Sequence, residues 1–575
     1  MPILLCQQII VLDRISVIYK CYAQIKCYGS SMFVRVKKQG MHEYLQVVHG
    51  FREDGKVKQR VLMTLGRVGE DSTYDNIDSL MNSMQKFSFR SAVLSSRNQE
   101  IECVAKIVGP VLIFERLWKN LGIGDAISKE ASKRKYEFNV ERAIFVSVMH
   151  RLLRSGSDLD CCAWKDSYEI KGSEGLELQH LYRAMGFLGE RIGTAKQESP
   201  QFVRRIKDKI EELIYMKDLD VFSEFKMVFF DTTSMYFEGA GGAELGKRGY
   251  SKDSRPDLNQ VVVGALLDEQ GVPICCEVLP GNTADLKTLI PITERVKQRF
   301  GFWNFCIVAD RGMISHPTLE HFHNNPANMS FILGCRMRKD KLVKEYLQSQ
   351  EINWEKESCI DRTGKERIYY KEIKLSEGQR HVICYSELQA NKDANTRNEI
   401  INQLQSKLND DLKAFVKNAG YKRYIKSSGK KVEIDLTRVK SEEAYDGIWV
   451  LQTNTDMKAE DVVMRYKDLW QVEYVFRTMK SALDTRPIFH QRDERIVGHI
   501  FCSFLALVLK KELIRLLDQN NHAFTWAQIV DDLNSLAYID VTNDVKQFRI
   551  RTNVSGCTGK VFASAGVAIP KSIII

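Results

Sequence analysis

Four side chains late in the chain have types and spacing suited to phosphate chemistry. In YKDLWQVEYVFRTMKS, Tyr466, Glu473, Arg477 and Lys480 follow one another at offsets of seven, four and three residues. At about 3.6 residues per turn, those offsets place all four on one face of a helix. An acid flanked by an aromatic ring and two cations suits a group that holds a metal ion beside a polyphosphate. The same spacing fits an ordinary solvated ion pair between Glu473 and Arg477, so acids elsewhere in the chain must decide.

Two such acids stand where strands should end. In KMVFFDTTSMYFEG, Met227 to Phe230 read as a buried strand that Asp231 interrupts. In FWNFCIVADRGMIS, Phe305 to Ala309 lead into Asp310, with Gly312 two residues on. A carboxylate at the end of a buried strand is costly unless it is paired or binds a cation. Taken singly, either aspartate also reads as a helix cap or turn residue. Together with Glu473 they make a set of three, enough to hold two divalent cations, magnesium or manganese in its place. In such a two-metal arrangement one ion activates the attacking oxygen and the other steadies the leaving oxygen. The implied chemistry is phosphodiester hydrolysis or strand transfer.

These residues carry a resemblance. Asp231, Asp310 and Glu473, with Tyr466-x6-Glu473-x6-Lys480, resemble the DDE transposases of bacterial insertion sequences whose signature is Tyr-x2-Arg-x3-Glu-x6-Lys. Leu469 stands where that signature has arginine. The segment between the aspartates is similar too, through Gly249, Ser251, Lys252, Arg255, Pro256, Asp257 and Gln260, then Gly271, Pro273, Gly281, Asn282 and Thr288. So is MFVRVKKQGMHEYLQVVHGFREDGKVKQRVLMTLGRVG, and the resemblance runs from about Met32 to near the end.

The resemblance implies a magnesium-dependent enzyme that cleaves DNA at the ends of an element and joins the freed end to target DNA. Asp231, Asp310 and Glu473 would be catalytic residues and metal ligands; Tyr466, Arg477, Lys480, Lys252 and Arg255 would contact DNA. Its partners would be double-stranded DNA, namely the terminal inverted repeats and the target, and a second copy of the chain, since two ends are cut together. It would be cytoplasmic, at the bacterial nucleoid, with no membrane partner. Related enzymes cut the second strand through a hairpin, a step that Leu469 leaves open. Two rivals use the same residues: a metal-dependent nuclease without strand transfer, and a silent DNA-binding repressor derived from a transposase.

Composition agrees. The chain has 575 residues, 44% of them hydrophobic, which predicts several domains with packed cores. Lysine and arginine total 84 against 74 acids, a net charge of +10 that favours a polyanionic partner. Basic clusters at Lys133-Arg134-Lys135, at Arg204-Arg205 with Lys207 and Lys209, and in YKRYIKSSGKK at 421–431 are candidate phosphate contacts or solvated faces. The 14 cysteines include no C-x2-C pair and the 11 histidines show no ligand spacing, which fits a reduced interior without a zinc site. Gly241 to Lys247 fits G-x4-G-K, but Arg248 follows where a P-loop needs serine or threonine, so it reads as a flexible loop.

The elements that must position the acids follow from pattern. The fold class is α/β: a ribonuclease-H-like core, a mixed sheet with flanking helices, carries a β-rich insertion and follows a small β region and a helical domain. Residues 1–31 read as an upstream extension, 32–95 as the β-rich region with a turn at Glu53-Asp54-Gly55, and 96–220 as a helical, DNA-binding domain. The core's first part spans 221–338, the insertion 339–445, the second core part with the Glu473 helix 446–520, and a tail 521–575. Between Asp310 and Glu473 lie 162 residues, far more than the core needs; the insertion accounts for the excess and carries strand-like RIYYKEIKL, HVICYSEL and VEIDLT with a charged helix at 394–417. GHIFCSFLALVLKKELIRLL is apolar for too short a run to span a bilayer and reads as a core helix. Since the family-like text starts at Met32, mass spectrometry of the native product is expected to find no peptide from residues 1–31.

Overall fold

The structure is a computed structural model that describes residues 31–53, 56–84, 102–193, 203–217, 226–301, 305–324, 329–349, 352–362, 364, 366–376, 379–406, 419–428, 431–542 and 547–574. Residues 1–30 of the expected 1–31 extension, the turn residues Asp54 and Gly55, and the end of the expected 394–417 helix lie outside these residues. The chain divides into two compact units, one of residues 1–104, 539–550 and 573–575, the other of residues 105–538 and 551–572.

In the first unit β1 (Ser31–Gln39), β2 (His42–Glu53) and β3 (Lys56–Arg67) form an antiparallel sheet in that order, followed by the helix Asp71–Met84. Polar and apolar residues alternate in register, as in Val34 opposite Val47 and Arg35 opposite Gln46. A strand, β4 (Glu102–Ile107), precedes the helical region.

The second unit is built on a nine-stranded mixed sheet. Its strands are β5 (Lys226–Tyr236), β6 (Gln260–Leu267), β7 (Pro273–Pro280), β8 (Phe305–Ala309), β9 (Met329–Gly334), β10 (Ser358–Arg362), β11 (Glu366–Ser376), β12 (Gln379–Ser386) and, after a hairpin of β13 (Ile425–Ser428) and β14 (Lys431–Ile434), β15 (Ile448–Thr453). The order is β10-β11-β12-β15-β9-β8-β5-β6-β7. β5, β6 and β7 pair antiparallel, while β5, β8 and β9 pair parallel, the mixed order expected of the core. β6 and β8 are buried along their whole length, which explains their unbroken apolar runs.

Strand alternation sorts the core into two layers. Val228, Phe230, Ile307, Ala309, Phe331 and Leu333 pack with Leu289, Ile292, Val296 and Phe300 of the helix Leu289–Phe300. Met227, Phe229, Cys306, Val308 and Ile332 face the other way, into a cluster that includes Val472, Val475 and Phe476 and the 27-residue helix Asp493–Gln519. That helix runs through the unit's largest core, with the Val140–Leu153 helix buried almost all round.

The 339–445 stretch does not form a separate β domain. β10, β11 and β12 extend the core sheet beyond β15. The reason is that β12 is apolar on both faces: Val382 and Cys384 join the main cluster while Ile383 joins a second one with Val343 and Val450. The helix Glu387–Ser406 and the β13–β14 hairpin share a small cluster of Leu404, Tyr424 and Val439.

The basic run at 204–209 also differs from expectation. Lys207 is 2% exposed and donates to Asp208 Oδ1 at 2.6 Å and to the Cys276 carbonyl at 2.6 Å. Arg295 and Arg299 complete a buried network with Asp208, Glu211 and Glu277. Such charges are buried only when paired, so Lys207 ties the Ile206–Lys217 helix to the edge strand β7 and is closed to DNA. Lys133 and Arg134 are likewise paired, with Glu130 and Glu190.

Two glycines let the helical region dock. A Cβ on Gly498 would fall 2.0 Å from the Met185 carbonyl oxygen, and one on Gly189 2.0 Å from that of Glu494. The helices Leu178–Gly189 and Asp493–Gln519 therefore meet backbone to backbone. Gly498→Ala is expected to force them apart and cost about 1–3 kcal/mol in urea unfolding, as overpacking does.

Candidate active site

The parallel pairing of β5 with β8 sets Phe230 opposite Ala309, both on the layer facing the Leu289–Phe300 helix. The next residue in each case is an aspartate: Asp231 within β5, which runs on to Tyr236, and Asp310 just past the end of β8. By alternation Asp231 and Asp310 turn to the opposite layer, the one that also holds Val472, Val475 and Phe476. The two acids thus stand side by side at one level of the sheet.

Asp231 accepts from the Thr232 backbone N–H at 2.7 Å, and its side chain is 22% exposed. Burial pushes its carboxyl up to about 6; Lys252 and the Thr232 N–H oppose the shift, and the neighbouring Asp310 and Asp285 add to it. Lys252 Nζ lies 3.8 Å from Asp231 Oδ1 and 3.2 Å from Asp285 Oδ2, and donates to the Thr232 carbonyl at 2.6 Å. Thr232 Oγ1 donates to Asp285 Oδ1 at 2.6 Å. Asp285 is a third carboxylate at this end of the sheet. It sits in a turn after β7, where no strand-end pattern marks it.

Tyr466 donates its hydroxyl to Asp310 Oδ1 at 3.1 Å. Burial, with Asp310 alongside, pushes the phenol well above its ordinary range. A Cβ on Gly334 would fall 2.3 Å from the Tyr466 hydroxyl, so glycine is needed for the ring to reach the acid. Tyr466, expected at DNA, is half-buried and engaged with a carboxylate.

The expected single helical face is interrupted twice. Tyr466 belongs to the helix Ala459–Lys467, Glu473 and Arg477 to the helix Trp470–Arg477, and Lys480 to a π turn over Thr478–Ala482. Between the helices the chain tightens, with Leu469 N–H bonding to the Tyr466 carbonyl and Val472 N–H to that of Leu469. Tightening and then widening the turn changes the rotation between the four side chains. Glu473 and Arg477 are exposed. Lys480 turns instead to Asp253, with Nζ 2.7 Å from Oδ1. Arg255 is bound to Asp257 at 3.0 Å and lies over the Tyr236 ring.

The structure brings Asp231, Asp310 and Asp285 near one another, beside the end of β8, but does not gather Glu473 with them: among the described residues no three acid, histidine or cysteine side chains are arranged to hold a metal ion. The donor chemistry still suits a hard divalent cation. Asp231 is a half-buried carboxyl whose burial Lys252 only partly offsets, and magnesium needs few protein oxygens when waters and phosphates complete its shell.

Residues 224–509 match the transposase DDE domain, and residues 34–97 match the N-terminal domain of IS1634 family transposases. The matches support an insertion-sequence DDE transposase. Among solved structures, a piggyBac transposase synaptic complex with hairpin DNA aligns over 74% of this chain and 79% of its own, at 10% identity and a TM-score of 0.36. No curated protein matches. DDE transposase domains are generally dependent on divalent metal, and no described helix is long and apolar enough to cross a membrane.

The raised Asp231 carboxyl has a definite sign. The folded value of about 6 exceeds the ordinary 3.8, so the folded state takes up a proton across that window and loses stability as pH rises through it. Asp231→Asn is expected to raise the stability of the cation-free protein at pH 8 by about 2 kcal/mol. The gain should fade as the pH is lowered through 6 towards 3.8, which thermal unfolding at several pH values checks.

Proposed function

We propose that the transposase cleaves DNA at the ends of an insertion sequence and transfers the freed strand into target DNA, with Asp231, Asp310 and Glu473 as its catalytic acids. The observation that carries this reading is the register of β5 on β8, which puts two acids side by side inside a segment matching the transposase DDE domain. These acids would hold two divalent cations, magnesium by preference. When bound, the ions supply Lewis-acid activation of the attacking oxygen and stabilisation of the leaving oxygen.

The remaining work falls to the chain. The Tyr466 hydroxyl fixes one oxygen of Asp310. Lys252 balances the negative charge of Asp231 and Asp285 in the cation-free protein. Arg477 is exposed one turn from Glu473, where it meets a DNA phosphate. Arg255 exchanges its exposed partner Asp257 for a phosphate at small cost. Double-stranded DNA, as element ends and target, is the partner, and a dimer forms on it because two ends are cut together. The 34–97 and helical regions contribute to end recognition.

Asp231→Asn and Glu473→Gln are each expected to bind element-end DNA normally and to abolish magnesium-dependent cleavage, by about 1000-fold or more. Full cleavage by either variant would overturn the assignment. A pre-cut end incubated with target DNA should be joined; cleavage without joining would make the enzyme a nuclease. DNA affinity should fall steeply with salt, because Lys and Arg contacts release counterions.

A further inference from the structure

Lys480, the last position of the Tyr-x2-Arg-x3-Glu-x6-Lys pattern, does not point to open solvent. Its side chain is 10% exposed, and its ammonium lies 2.7 Å from Oδ1 of Asp253, itself 3% exposed. Arg486 pairs with the same oxygen and also lies over the Tyr236 ring at the end of β5. The π turn over Thr478–Ala482 carries Lys480 away from the exposed face of Glu473 and Arg477.

Asp253 follows Lys252 directly. The Lys252 backbone N–H donates to Ser234 Oγ at 2.7 Å and its ammonium to the Thr232 carbonyl at 2.6 Å. Two adjacent residues of one loop therefore hold two elements of the site. Lys252 grips β5 beside the first acid, and Asp253 grips the segment that leaves the Glu473 helix. The loop is pressed down at its start, where a Cβ on Gly249 would meet the Gly281 carbonyl oxygen at 2.1 Å. A buried carboxylate shared by two cations is costly to open, since either side is left with unpaired charge.

We propose that Asp253 is a positioning residue for strand cleavage, acting through Lys480 and Arg486 to clamp the 249–258 loop, and with it Lys252, to the end of the Glu473 helix. Lys480 is then part of the clamp rather than a phosphate contact. This assignment rests on the transposase reading and goes beyond it.

The test compares the full chain with Lys480→Met, Asp253→Asn, their double variant and Arg477→Gln. Binding to a duplex from the element's end is measured by fluorescence anisotropy against salt, alongside magnesium-dependent cleavage and amide exchange. Arg477→Gln should make the salt slope shallower by about 0.9, the value of one phosphate, while Lys480→Met keeps the wild-type slope. Lys480→Met and Asp253→Asn should each lower kcat about ten-fold with KM little changed, and the double variant should be no worse than either single one. Both should speed amide exchange across 249–258 without DNA. A slope lost in Lys480→Met as in Arg477→Gln, a slope made steeper by Asp253→Asn, or additive losses would overturn the clamp. Should Lys480→Met not fold, Asp253→Asn, which keeps the side-chain shape, decides through its own slope and exchange. A wild-type chain that neither binds nor cuts the duplex fails the transposase reading instead. A wild type that cuts while Asp253→Asn cuts as fast fails only the clamp.

Discussion

The juxtaposition of Asp231 and Asp310 hangs on the parallel pairing of β5 with β8. Parallel strands need a long crossover, here β6, β7 and the Leu289–Phe300 helix, and that crossover brings the two strands into one register. Because side chains alternate with period two, a slip of one residue would send one aspartate into the opposite apolar layer. Phe230 and Ala309 prevent the slip by belonging to that layer themselves. The acids are placed by what their neighbours must bury.

That placement has an electrostatic cost. Asp285 and Asp310 lie near the half-buried Asp231, and both add to the cost of charging it. The chain offsets this with Lys252 and with hydrogen bonds from Thr232 and Tyr466, none of which cancels the burial at Asp231. A site left short of positive charge is ready for a cation.

Much of this was legible in residue order. Continuous apolar runs leading into Asp231 and Asp310 announce buried strands, and the structure places β5 and β8 there; Asp310 follows the end of β8, whereas β5 runs on to Tyr236, so that Asp231 lies inside its strand, paired with Ala265, and not at its end. β6, β7, β9 and β15 follow the same grammar. Long-range pairing was not legible. RIYYKEIKL and HVICYSEL read correctly as strands, yet nothing local says that they join the core sheet rather than a sheet of their own. Lys207 looks like its basic neighbours until its burial with Asp208 and Glu211 is seen. Asp285 and Asp253 sit in turns, where aspartate is ordinary, and gain meaning only from what the fold brings to them.

Leu469 is the departure that packing explains. It lies at the tight joint between the Ala459–Lys467 and Trp470–Arg477 helices, 9% exposed and inside the main apolar cluster with Val472 and Val475. An arginine there would have to bury its guanidinium among aliphatic side chains, at a cost of several kcal/mol unless it were paired. An unpaired cation at this joint would disturb the packing that orients the next helix, and that helix carries Glu473. The chain keeps the orientation and gives up the cation. Glu473 lies on the exposed side of that helix, where Arg477, one turn away, supplies the positive charge that Leu469 does not.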